Sequence, residues 1–130
     1  MSGGAGTSGK PGGLRTIRLE LARTRERPDG DPGCGYEFSA PLTADGYLDA
    51  DAFKAQRTDC RVRRFWTGEK YEQGILKHLG KDRWVFSYAP GTDDDEAAFK
   101  FDRHRFATGE YVSITEHDGV TRPFKVVSVI

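Results

Sequence analysis

Apolar and polar residues alternate with a period of two along most of this chain, and hardly anywhere with the period of a helix. From Gly109 to Ile130, Val112 and Ile114 alternate with Ser113 and Thr115. Asp118-Gly119 supplies a turn, and Phe124 and Val126 alternate with Lys125 and Val127. This pattern predicts two strands joined by a tight turn, with Val112, Ile114, Phe124 and Val126 on one buried face. Leu14–Leu21 reads as a first strand, with Ile17, Leu19 and Leu21 on one face. The same face continues as Arg23, Arg25 and Arg27, so the strand must leave the core near Ala22 or change face at a bulge. The Pro- and Gly-rich stretch Pro28–Gly35 reads as a loop. Tyr36, Phe38, Ala40 and Leu42 alternate with Glu37 and Ser39 in a second strand, which Pro41 pushes towards an edge.

Asp45-Gly46 is a turn. Asp49 or Asp51 is positioned to cap a short helix through about Gln56, with Phe53 as its large anchor. Cys60–Trp66 reads as a third strand with Val62 and Trp66 on one side. Tyr71–Leu79 holds good helix formers, but its central Gly74 and the Gly80-Lys81-Asp82 turn favour a fourth strand. Arg83–Tyr88 is a fifth, with Trp84, Phe86 and Tyr88 on one face. Pro90–Asp95 is an exposed loop, and Phe99 and Phe101 alternate with Lys100 in a sixth. The expected class is all-β, or β-rich α+β: a small antiparallel barrel or sandwich of about eight short strands with one short helix near residues 49–56. Residues 1–13 read as a flexible Gly/Ser-rich tail, leaving 14–130 as a single β-rich domain.

Composition narrows the functional classes. The 130 residues carry 20 Lys and Arg against 20 Asp and Glu, a net charge of zero, which argues against a domain whose main work is gripping nucleic acid or an anionic membrane. Local patches remain: Arg61, Arg63 and Arg64; Arg103, His104 and Arg105; and the acidic run Asp93–Glu96. Two cysteines make no disulfide framework. With no apolar leader and no stretch of membrane-spanning length, the cytoplasm is the expected compartment and both cysteines are expected to be thiols.

Candidate chemistry is sparse. Cys34, Cys60, His78, His104 and His117 offer metal ligands, but none forms the close pair with which one turn presents two ligands, so no metal site is expected. The acidic run lacks the spacing of a calcium loop. No nucleophile elbow, Walker A or dinucleotide fingerprint occurs, and no catalytic residue is assigned. Phe106, Gly109, Glu110, Tyr111, Val112, Ser113 and Ile114, followed by Arg122, Pro123, Phe124 and Ser128, resemble the strand pair of the flavin-binding barrel in ferredoxin-reductase-like enzymes. That resemblance covers about a sixth of the chain and implies a barrel hairpin with, as one alternative, flavin binding. Lys125, Val126 and Val127 separate the aromatic residue from the serine.

The preferred expectation is a binding or interaction module without a cofactor, taking an anionic small molecule or an acidic protein partner. Its expected site is Arg63, Arg64, Trp66, Trp84, Arg103, His104 and Arg105, because tryptophan and arginine are enriched at binding hot spots and guanidinium forks match carboxylate and phosphate. One alternative is a small enzyme or cofactor-binding barrel using Arg103, His104, Arg105 and Tyr111. Another is a single-stranded nucleic-acid barrel using Arg61, Arg63, Arg64 and the aromatic strands; nucleic acid is the less expected partner.

Overall fold

The alternation is realised strand by strand. The computed structural model describes residues 13–80, 83–88, 96–100, 105–116 and 118–130, the side chains of 80 and 96–100 excepted. Its strands are β1 (Leu14–Leu21), β2 (Asp31–Pro41), β3 (Arg61–Phe65), β4 (Glu72–Gly80), β5 (Arg83–Ser87), β6 (Glu96–Lys100), β7 (Tyr111–Thr115) and β8 (Thr121–Val129). Each pairs antiparallel with the next, and β8 returns to β1, so the sheet closes into a barrel. Of the two expected architectures, barrel and sandwich, the barrel is the one formed. The expected tail (but for Gly13), the loop Pro90–Asp95 and Phe101 lie outside the described residues.

Ile17, Leu19 and Leu21 are buried, and β1 ends where the arginine series begins. In the closing hairpin Val112 pairs with Phe124, and all four expected apolar residues are buried. Two expectations need correction. β2 begins at Asp31, within the stretch expected to be a loop. Glycine there serves close approach: a Cβ on Gly35 would lie 2.0 Å from the Leu19 carbonyl oxygen. Pro41 does not put β2 at an edge, because β2 lies between β1 and β3. The β2–β3 pairing runs from Gly35 to Phe38, so the prolyl nitrogen falls beyond it and interrupts no bond to β3.

β4 is a strand despite its helix-forming composition. Its Gly74 lets β5 come close, since a Cβ would meet the Ser87 carbonyl oxygen at 2.1 Å. On β5, Trp84 and Phe86 are buried as expected, and Val85 and Ser87 on the alternate face are buried as well.

Antiparallel order sorts the two ends of the barrel. At one end, between β2 and β3, sits α1 (Ala50–Gln56), followed by a 3-10 turn over Arg57–Asp59. The Asp49 carboxylate accepts from the Ala52 N–H at 3.0 Å, satisfying an orphan donor of the first turn. α1 inserts Phe53, which meets Trp84 edge-on at 5.0 Å. The middle is filled by rings: Tyr36 against Phe86 at 5.0 Å and Phe124 at 5.2 Å, and Phe38 against Phe86 at 5.3 Å and Phe106 at 5.7 Å. An eight-stranded barrel is just wide enough for side chains to fill it, and this one is filled.

Phe124→Ala empties the centre of that packing. It is expected to lower stability by about 3–5 kcal/mol; an unchanged midpoint in urea denaturation would contradict the packing described.

Candidate functional site

The end opposite α1 is closed by charge. Arg64, Glu116 and Arg122 continue the inward faces of β3, β7 and β8. The Glu116 carboxylate is buried and accepts from the Tyr36 hydroxyl at 2.5 Å and from Arg122 at 2.5 Å. Nε and a terminal nitrogen of Arg64 each donate to it at 3.4 Å. Arg64 also donates to Glu69 at 3.2 Å, and its guanidinium lies 4.2 Å from the centroid of the Trp66 ring. Arg122 reaches Asp118 at 3.1 Å. The hydrogen bond that Arg122 donates to Asp118, joined by the charge of Glu116, raises the Arg122 pKa against the cost of its partial burial. Every charge in this plug has an opposite partner, so its chemistry is already satisfied from within.

The other polar feature lies outside the barrel. A groove of about 980 Å³ runs over the outer faces of β2, β3 and β4, reaches Thr16 on β1, and is walled by α1 and the 3-10 turn. Phe53, Val62 and Leu76 underlie it. Lys54, Arg57, Arg61, Arg63 and Lys77 line it, against Glu37 as the lone carboxylate among the described lining residues. Glu37 is engaged by Arg63 at 2.7 Å, across the β2–β3 pairing. Among the described residues, Lys54, Arg57, Arg61 and Lys77 have no carboxylate within ion-pair distance. A volume of this size, with an apolar floor and a cationic rim, has the character of a ligand site.

The residues expected to form one site are separated. Arg63 faces outward into the groove, whereas its neighbour Arg64 faces inward to the plug, with Trp66 beside it. Trp84 is 2 % exposed and stacks on His78 at 4.2 Å near α1, at the far end of the barrel. Arg105 is exposed beside Gly46, and Arg103 and His104 lie outside the described residues. Tyr111, named in the enzyme alternative, is exposed opposite Lys125 on β8. Arg61 and Arg63, singled out in the nucleic-acid alternative, do share the groove.

Lys54 and Arg57 were not anticipated, and Lys77 was weighed only beside the aromatic strand β5 as part of a base-stacking platform. Lys54 and Arg57 come from the helix and turn, and Lys77 from the strand that composition drew towards helix. No cluster of three His, Cys, Asp or Glu suited to a metal ion occurs among the described residues. Nor, among them, is any helix long and apolar enough to cross a membrane. Comparison with known protein families, curated proteins and solved structures returns no match.

Both cysteines are free and buried. Burial, reinforced by the adjacent Asp59, pushes the Cys60 thiol up to about 11. The folded value exceeds the unfolded one. Stability is therefore fully present below the ordinary thiol range and falls as pH rises towards about 11. In a Cys34→Ala variant, thiolate absorbance is expected to appear with a midpoint near 11; a midpoint in the ordinary range would contradict it. Glu116→Ala leaves Arg64 buried beside no inward carboxylate and is expected to cost about 3–5 kcal/mol. A urea midpoint equal to that of the unaltered protein would show that the plug carries no stability.

Proposed function

We propose that this protein is a binding module, without a reaction of its own, that takes an anionic ligand in the groove between α1 and the outer faces of β3 and β4. The observation carrying this reading is the charge of the lining: Lys54, Arg57, Arg61, Arg63 and Lys77 converge on one concavity with Glu37 as the opposing charge. In a chain of zero net charge, such segregation places a local positive field where a ligand can sit. Carboxylate and phosphate are the groups that guanidinium forks match. The barrel interior supports the same reading by exclusion, since rings occupy the space where a ligand would otherwise enter.

Retention on a sulfate-bearing resin at neutral pH and low salt tests this directly. The net-neutral protein is expected to be retained, and Arg57→Ala, Arg61→Ala, Lys77→Ala together to abolish retention. A control carrying Arg23→Ala and Arg25→Ala, exposed outside the groove, is expected to stay bound. Flow-through of the unaltered protein, or equal loss in the control, would overturn the assignment.

A further inference from the structure

Besides its charges, the outer face of β4 carries apolar side chains that the barrel does not use. Tyr71, just before the strand, Ile75 and Leu79 are 63 %, 42 % and 51 % exposed. Gln73, Ile75, Lys77 and Leu79 lie along one side of the groove. At ~3.3 Å per residue, that side is roughly 20 Å long. From β1 to β4 the groove crosses three strand spacings, roughly 14 Å. An α-helix with its side chains is about 10–12 Å across, and a 20 Å length holds about 13 residues. Exposed large apolar residues beside unpaired cations mark a surface for a partner that is both apolar and acidic.

We infer that the groove is a docking site for an acidic amphipathic helix of a partner protein. This inference rests on the anion-binding reading above and names its ligand. The helix lays its apolar stripe on Ile75 and Leu79 and turns its carboxylates to Arg57, Arg61 and Lys77. Two observations separate this occupant from others. The sheet closes on itself and leaves only short unpaired stretches at the groove, residues 39–41 of β2 and 77–80 of β4, so an extended peptide finds little edge on which to add a strand. Single-stranded nucleic acid needs exposed rings on which bases stack. Phe65 on the outer face of β3 is buried under Arg18, 4.2 Å from its centroid, and the exposed Tyr71, 4.8 Å from the Arg63 guanidinium, lies before β4 and outside the groove lining, so among the described residues no row of open rings follows the groove.

The test measures fluorescence anisotropy with three labelled probes. One is a synthetic peptide of about 16 residues with leucines at helical spacing and glutamates elsewhere. The second is a scramble of the same composition, and the third an oligothymidylate. The patterned peptide is expected to bind at least tenfold more tightly than the scramble and to gain helical circular dichroism on binding. Ile75→Ser with Leu79→Ser is expected to weaken it at least tenfold. Equal binding of patterned and scrambled peptides, with retention intact, would overturn the helix and leave the anion site standing. Tighter binding of the oligothymidylate would make nucleic acid the occupant and overturn the inference. Absence of both binding and retention would reject the two readings together.

Discussion

The buried carboxylate of Glu116 is the constraint on which the arrangement of this molecule depends. It joins β2 through Tyr36, β3 through Arg64 and β8 through Arg122, directly below the ring cluster of the core. A buried arginine is costly unless paired, and Glu116 is the buried carboxylate that pairs with Arg64 inside the barrel, with Glu69 engaging it from the more exposed side. Its position has a consequence on the opposite side of the sheet. Successive residues of a strand face opposite ways, so Arg64 inward means Arg63 outward, and with it Arg61. The plug inside the barrel and the cationic wall outside it are two faces of one strand register.

The two ends of the barrel are closed by different chemistry. At the α1 end, Phe53, Trp84 and His78 pack ring against ring. This apolar lid fixes the helix against the sheet, and the helix and the turn after it bring Lys54 and Arg57 to the groove. At the other end the polar plug satisfies its own charges and offers little to a ligand. With the interior packed and both ends shut, the outer face of β2, β3 and β4 is where unsatisfied charge and exposed apolar surface coincide.

Much of the fold was legible because one physical signal, period-two burial, governs it. β1 and the β7–β8 hairpin follow that period, and β1 and β5 lie within a residue of their expected bounds, although β5 is buried on both faces. The start of β2 was not legible. Its glycines and proline signal a loop locally, while Gly35 is required by the approach of β1, which is a tertiary fact. The plug was legible in principle: Arg64 follows Val62, Glu116 follows Ile114, and Arg122 precedes Phe124, each at the spacing of one face. Grouping Arg63 with Arg64 by their adjacency in sequence concealed this, since adjacency in a strand means opposition in space. Trp84 illustrates the converse, for a residue type common at interfaces here fills a core. The groove could not be read at all. It depends on β1 to β4 lying side by side and on α1 folding back across them, and no local pattern encodes either.

The most direct measurement is an amide chemical-shift titration of the 15N-labelled protein with hexaglutamate as a minimal anionic probe. The largest changes are expected on Arg57, Arg61, Gln73, Ile75 and Lys77, with the amides of Glu116 and Arg122 unmoved. Changes centred on the β7–β8 end, or spread over Arg23, Arg25 and Arg105 as strongly as over the groove, would contradict it.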